Sequence, residues 1–205
     1  MLPVFSFVIS SSQKSSIMKK LWTITLLFLL AFVACNKDND NEPSGDNILS
    51  LDGPNQTGPI LAAGDYEAAA RFPASETSRF TGRSLDEVTW FMGIPPASCA
   101  VKIYGAGSGD TPGALLYSAS IPVNSIQTPA WNTHKLAQPV SIDGEELWIS
   151  IAFTHAQQQQ SIGCDAGPNR TGGDWLFNSN DNQWLPYTQR SPANINWNIR
   201  GIVGE

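Results

Sequence analysis

The sequence predicts an all-β protein: an antiparallel β-sandwich of jelly-roll topology, with an immunoglobulin-like sandwich as the alternative. Three observations carry this. Apolar residues recur with a period of two, the spacing at which side chains of a strand share one face. The runs are short, about nine or ten in number, and turns rich in Gly, Pro, Asn and Asp separate them. A helical period is almost absent, and no internal repeat is visible.

The clearest run is EELWISIAFT, residues 145–154. Leu147, Ile149, Ile151 and Phe153 alternate with Trp148, Ser150, Ala152 and Thr154. Asp143-Gly144 precedes it, a dipeptide that tolerates positive φ, and another extended run, 135–142, comes before that turn. The expectation is a hairpin leading into a central strand.

The other elements obey the same logic in chain order. Residues 48–64 are Gly- and Pro-spaced and read as an extended lead-in. Tyr66, Ala68, Ala70 and Phe72 alternate with Glu67, Ala69 and Arg71 in a first strand that Pro73 ends. Residues 74–80 are spaced for one helical turn, with Ser75 as its N-cap. Val88, Trp90 and Met92 mark the next strand, and CAVKIY (99–104) another. GAGSGDTPG (105–113) is a hairpin connection and not a phosphate loop, because no Lys-Ser/Thr pair comes after it. Residues 114–121 return, and 131–136 form a further strand after Pro129. HAQQQQ (155–160) is a polar loop tip, 161–165 a short strand, and AGPNRTGGD (166–174) a turn-rich excursion. Residues 175–177 and 183–185 flank the 178–182 turn as a small hairpin. Ile195, Trp197 and Ile199 open a last strand that ends at Val203.

The ends describe an exported protein. Met18-Lys19-Lys20 is a basic start, and 21–33 is an apolar run short for a membrane span. A small residue, Ala34, then precedes Cys35, so 1–34 reads as a signal peptide that starts at Met18. The alternative is a plain signal or an N-terminal anchor helix. Residues 35–60 are expected to be a tether, opening with the polar and acidic NKDNDNEPSGDN, and 61–205 the folded domain. Of the 12 basic residues, Lys14, Lys19 and Lys20 lie in the signal; none of the 18 acidic residues does. Residues 35–205 are therefore more acidic than the net −6 of the whole chain, which excludes nucleic acid as a partner and electrostatic adsorption to anionic lipid. The domain is long enough for one real core.

Cys99 is in phase with Val101 and Ile103, and Cys164 with Ile162. Two inward cysteines in an exported protein predict a disulfide, with two buried thiols as the alternative. Zinc is not expected, since no CxxC or HxxxH spacing occurs.

Resemblances to known families add to this reading. Cys35 at the cut resembles the bacterial lipobox, where the thiol is lipidated, although Phe32 stands where that box usually has leucine. The acidic run Lys37-Asp38-Asn39-Asp40 resembles the surface-export signal of Bacteroidetes lipoproteins. The series VKIYGAG, TPGALLYSASI, WNTHKLAQPVSIDGEELWISIAF, IGCDAGPNRTGGDW and NWNIRG resembles a jelly-roll module of the cleaved-adhesin kind, over most of residues 65–203. That likeness implies a non-catalytic sandwich used for adhesion or binding, and the two before it imply anchoring in the outer membrane by lipid at Cys35, at the cell surface. It carries over no catalytic residue.

The chemistry visible in the residues agrees with a binding role. His134 and His155 fall in a strand and a loop tip, and no GxSxG elbow is present. Glu145-Glu146 and Asp86-Glu87 are adjacent pairs, which a strand would point to opposite faces. Of the indoles, Trp90 and Trp197 are in phase with core residues, whereas Trp175, Trp184 and Tyr187 sit near loops. With Asp174, Asn178 and Asn182 they compose a candidate ligand site, an indole stacking on a sugar face; the alternative is that they cap the core. Asp165, Asp174 and Asp181 compose a candidate Ca²⁺ site, unless Asp165 bonds the amides of its own turn. The expected ligand is a glycan or a surface protein. A structural subunit of an envelope complex is the second reading and a hydrolase the third.

Overall fold

A computed structural model describes residues 42–160 and 162–204. Its twelve strands are β1 (Ile48–Leu49), β2 (Ile60–Leu61), β3 (Gly64–Phe72), β4 (Ser84–Met92), β5 (Ser98–Tyr104), β6 (Leu115–Ser120), β7 (Ala130–Ser141), β8 (Leu147–His155), β9 (Gln159–Gln160), β10 (Trp175–Asn178), β11 (Gln183–Pro186) and β12 (Ile199–Val203). Two antiparallel sheets form the sandwich, ordered β1-β12-β4-β7 and β11-β10-β3-β8-β5-β6, with β2 and β9 paired separately. Without the β10–β11 hairpin and the β2–β9 pair, eight strands remain. In chain order, the first, eighth, third and sixth make one sheet and the second, seventh, fourth and fifth the other. That is a jelly roll, and it excludes the immunoglobulin-like order.

β8 is central, as its alternation predicts. It pairs with β3 over nine positions, from Gly64↔His155 to Phe72↔Leu147, and with β5 on its other side. Leu147, Ile149, Ile151 and Phe153 face inward beside Ala68, Ala70, Phe72, Val101 and Ile103. The facing sheet supplies Val88, Trp90, Met92, Ile199 and Val203. Trp90 and Trp197 belong to this core, as their phase predicts.

The structure corrects several expectations. Asp143-Gly144 is a turn, with Gly144 at φ +89°, but it closes no hairpin. The residues before it belong to β7, which pairs with β4 in the opposite sheet. The turn is thus a corner between layers, and the two runs expected at 131–136 and 135–142 are one strand. The helical turn α1 (Ala74–Thr77) is capped by Pro73, not Ser75, and no side chain bonds its first amides. The last strand begins at Ile199; Trp197 before it makes only an isolated bridge to Cys164.

Residues 42–60 are part of the fold, not of a tether. β1 pairs with β12, and Leu49 and Leu51 enter the core. Arg200 on β12 explains why. Its guanidinium donates to both carboxylate oxygens of Asp52 at 2.8–3.0 Å, to Glu42 at 2.6 Å and to the Pro43 carbonyl. The same group lies 4.4 Å from the centre of the Trp131 ring. Burial alone would favour the neutral form, yet Asp52 and Glu42 outweigh it and hold Arg200 charged. Asn198 donates to Asp52 as well, at 2.6 Å.

The predicted disulfide is absent: Cys99 and Cys164 are buried free thiols. Both point inward, but Cys99 is held opposite Phe153 on β5, whereas Cys164 bridges Thr57 and Trp197. Facing the same core does not suffice for a bridge, which needs Cα atoms within about 7 Å.

These contacts make two expected outcomes measurable. Removing one partner of a buried pair strands the other charge, so Arg200→Ala should cost about 3–5 kcal/mol in urea unfolding. Asp52→Asn in that background should recover part of the loss. Burial, joined at Cys164 by the Asp165 charge, pushes both thiols up to about 12. A thiol reagent at pH 8 should therefore leave Cys99 and Cys164 unmodified in the native protein, and modify both in denaturant without any reductant.

Candidate functional site

The alternation that fills the core also decorates the opposite face of the six-stranded sheet. The register Arg71↔Trp148, Ala69↔Ser150 and Glu67↔Ala152 places these residues outward together. On one side β10 adds Trp175 opposite Ala69 and Phe177 opposite Glu67, and β11 adds Trp184 opposite Phe177. On the other side β5 adds Lys102 opposite Ser150 and Tyr104 opposite Trp148. An outer face of this kind is ordinarily polar and solvated. Here it carries a second hydrophobic cluster, separate from the main core, of Ala69, Trp148 and Trp175, with Tyr104 and Trp184 packed on it.

Trp148 is the centre of that cluster and is fully buried. Its ring lies 5.1 Å from Trp175 and 5.6 Å from Trp184, both in tilted or edge-on arrangements that the ring quadrupoles favour. The Arg71 guanidinium stands 5.1 Å from the Trp148 centroid and 5.5 Å from that of Trp175. Glu146 ties the group together. Its Oε2 accepts from Arg71 Nε at 2.7 Å and its Oε1 from Trp148 Nε1 at 2.8 Å.

Beside this cluster lies a cleft of about 420 Å³, walled by Arg71, Glu146, Trp175, Asp174, Pro186 and Thr188, with the excursion at 169–172 as its rim. The rim is built rigidly. Arg71 N donates to Gly172 O at 2.8 Å, and a Cβ at Gly172 (φ +94°) would lie 2.1 Å from the Arg71 carbonyl oxygen, so only glycine fits there. Asn196 is fully buried; its amide donates to Asp165 and to Pro168 O, and its Oδ1 accepts from Arg170 N.

The residues predicted from the sequence divide accordingly. Trp175 and Asp174 line the cleft, and Trp184 packs on Trp148 in the cluster. Trp175 is 6% exposed, so it offers the cleft its rim and not the flat open indole expected. Nor do Trp175 and Trp184 cap the main core, since their cluster lies outside it. Tyr187 does belong to the main core, 5.4 Å from the Trp197 ring. Asn178 closes its own turn by accepting from Asn180 N at 2.9 Å. Arg71, Glu146 and Trp148 were not anticipated; their only signal was that each sits out of phase with the core residues on its own run.

The three aspartates do not converge. Asp165 accepts from Gly53 N, Gly167 N and Asn196 N, so the alternative reading, that it bonds its own turn, holds. Asp174 accepts from Thr188 N at 2.9 Å. Asp181 pairs with Arg190, whose hydrogen bond lowers its pKa. Among the described residues, no three His, Cys, Asp or Glu side chains group closely enough to hold a metal ion. The calcium site is therefore withdrawn. His134 bonds Tyr117 at 2.8 Å and His155 packs on Tyr66 and Phe153, both away from the cleft. Cys35 and the signal lie outside the described residues.

Compared with protein-family models, curated proteins and solved structures, the chain finds no match.

The ion pair at the cleft sets a pH dependence. Burial pushes the Glu146 carboxyl up, but the bonds from Trp148 and Arg71, with the Arg71 charge, outweigh it and hold the pKa below the ordinary 4.5. The folded protein thus releases this proton more readily than the unfolded chain. Ionised Glu146 stabilises the fold above pH 4.5, and that contribution is lost as pH falls through the folded value. Glu146→Gln should lower Tm at pH 7, and the gap from the wild type should shrink as melts are taken towards pH 3.

Proposed function

We propose that this protein is a non-catalytic binding module, held at the cell surface by a lipid on Cys35, whose ligand is a glycan seated in the cleft of Arg71, Glu146 and Trp175. The observation that carries this reading is the second aromatic cluster on an outer sheet face, locked by Arg71–Glu146 and opening directly onto the cleft. A buried cluster outside the main core adds little that the core lacks, whereas it fixes the cleft wall in one geometry. The lining combines an aromatic and a proline surface with a guanidinium, carboxylates and two hydroxyls. Such a mixture suits a ligand with apolar ring faces and hydroxyl edges.

Hydrolysis is the weaker reading. Two carboxylates, Glu146 and Asp174, line the cleft. An acid that protonates a leaving group needs a raised pKa, and Glu146 is shifted the other way. A protein ligand has one observation in its favour: Leu115 and Leu116, on edge strand β6, are 54% and 48% exposed.

A glycan-array screen of the purified protein tests the proposal. Binding should appear with the wild type, fall at least about tenfold in affinity with Arg71→Met or Trp175→Ala, and survive Leu116→Ser. Binding to no glycan, together with capture of an envelope protein that Leu116→Ser abolishes, would replace the glycan by a protein.

A further inference from the structure

The outer face of the six-stranded sheet holds a second depression, of about 260 Å³, that the proposed function does not use. Its floor is low because Ala100 and Ala152 stand opposite each other in the middle of the sheet. One wall is polar: Ser98 Oγ bonds Thr154 Oγ1 at 2.7 Å, and Thr154 Oγ1 bonds Asp65 at 2.6 Å. The other wall is Glu67, whose carboxylate accepts from Lys102 Nζ and from Ser150 Oγ, each at 2.6 Å. Phe177, half-buried and 5.6 Å from the Trp184 ring, closes the end nearest the aromatic cluster.

Both depressions border β3. Arg71 lines the first, and Asp65 and Glu67 line the second. All three project to the same side of the strand, and the six steps from Asp65 to Arg71 span about 20 Å at the rise of a strand. Trp175 lines the first and Phe177 the second, and Trp184 packs on Phe177 and on the Trp148–Trp175 cluster. The charges are also alike. The first depression has Arg71 against Glu146 and Asp174; the second has Lys102 against Asp65 and Glu67. Each is left one charge negative, on a chain of net charge −6.

From this geometry we infer that the ligand is a linear, uncharged polysaccharide lying along β3, with one segment in the Arg71–Trp175 cleft and another in the Asp65–Ala152 depression. A single sugar or a short oligomer would fill only one of them. An acidic polymer meets like charge at both ends, which selects against uronate and sulfated chains. The inference rests on the glycan reading and specifies the ligand's length and charge.

Isothermal titration of the full-length protein with cello-, xylo-, manno- and laminari-oligosaccharides of two to six units tests it. For the series that binds, affinity should rise on the order of tenfold between the shortest and longest members, while oligogalacturonates should not bind. Ala152→Trp, which fills the second depression, should abolish the gain with length and leave the shortest ligand's affinity unchanged. Asp65→Ala, at an exposed position, should reduce the gain even if the tryptophan variant fails to fold. Affinity that is independent of length, or a gain that survives both variants, would overturn the inference and leave the single-cleft reading standing. Tight oligogalacturonate binding would overturn its charge assignment. Failure of every saccharide to bind would sink the glycan reading itself.

Discussion

The nine-residue register between β3 and β8 is the constraint on which the rest depends. Side chains alternate at every step, so one register fixes two surfaces at once. It sends Tyr66, Ala68, Ala70 and Phe72 to the core with Leu147, Ile149, Ile151 and Phe153. The same register brings Arg71 beside Trp148, and Ala69 beside Ser150, on the opposite side. A slip of β8 by one residue would put Ile149 and Ile151 in water and turn Trp148 and Ser150 into the core, while Arg71 and Glu67 stayed outside. The hydrophobic pattern of the inner face therefore also fixes where Arg71 and Trp148 stand on the outer face. Arg71 and Trp148 are alternate members of these two strands, whereas Trp175, Pro186 and the 169–172 rim reach the cleft from β10, β11 and the excursion.

Buried charge is handled in the same manner on both layers. On the four-stranded sheet, Arg200 is surrounded by Asp52, Glu42 and the face of Trp131. On the six-stranded sheet, Arg71 is held by Glu146 and the faces of Trp148 and Trp175. In each, a guanidinium is paired with carboxylate in its plane and with indole across it, an arrangement that a lysine ammonium could not reproduce. The two differ in exposure. The Arg200 side chain is 7% exposed and serves to fasten residues 42–53 to the sandwich; that of Arg71 is 26% exposed and presents itself to a cleft. The first is therefore structural in its consequences, while the second leaves donors available to a ligand.

Much of this was legible in the residues, and what was not has a common cause. Leu147 to Phe153 announced a strand with one buried face, and the many short runs between turns announced a sandwich. Trp90 and Trp197 were placed in the core by phase alone. Asp143-Gly144 announced a turn, but the dipeptide is the same whether the chain folds back within one sheet or passes to the other. Ile48-Leu49 is too short a run to declare itself a strand, and its pairing with β12 is set about 150 residues later. The phase of Cys99 and Cys164 is enough to show that they face inward, while their separation depends on which segments they ride. Trp148 was visibly out of phase with the core. Its burial depends on the β10–β11 hairpin docking beside β3, a contact no local pattern encodes. Arg71 and Glu146 are 75 residues apart. Local chemistry thus decides what a residue is suited to do, and long-range pairing decides what it meets.

That distinction bears on the proposed binding role. Catalytic carboxylates owe their reactivity to being left poorly satisfied, so that a proton binds near the working pH. Here the satisfying partners come from the scaffold itself. Glu146 receives Arg71, from the strand paired with β8, and Trp148, from β8; Glu67 receives Lys102 and Ser150 from the two strands beside it. Asp174 receives the Thr188 amide from across the β10–β11 hairpin. Glu67 is held between strands, and Glu146 and Asp174 just before theirs, so freeing one of these carboxylates would disturb the packing around it. A surface whose charges are already satisfied gains little chemistry, but it loses little conformational freedom when a ligand settles on it. Pre-organisation of that kind favours affinity. A second effect works in the same direction: hydroxyls of a polymer can share acceptors already aligned by Ser150 and Thr154, without any side chain having to reorient.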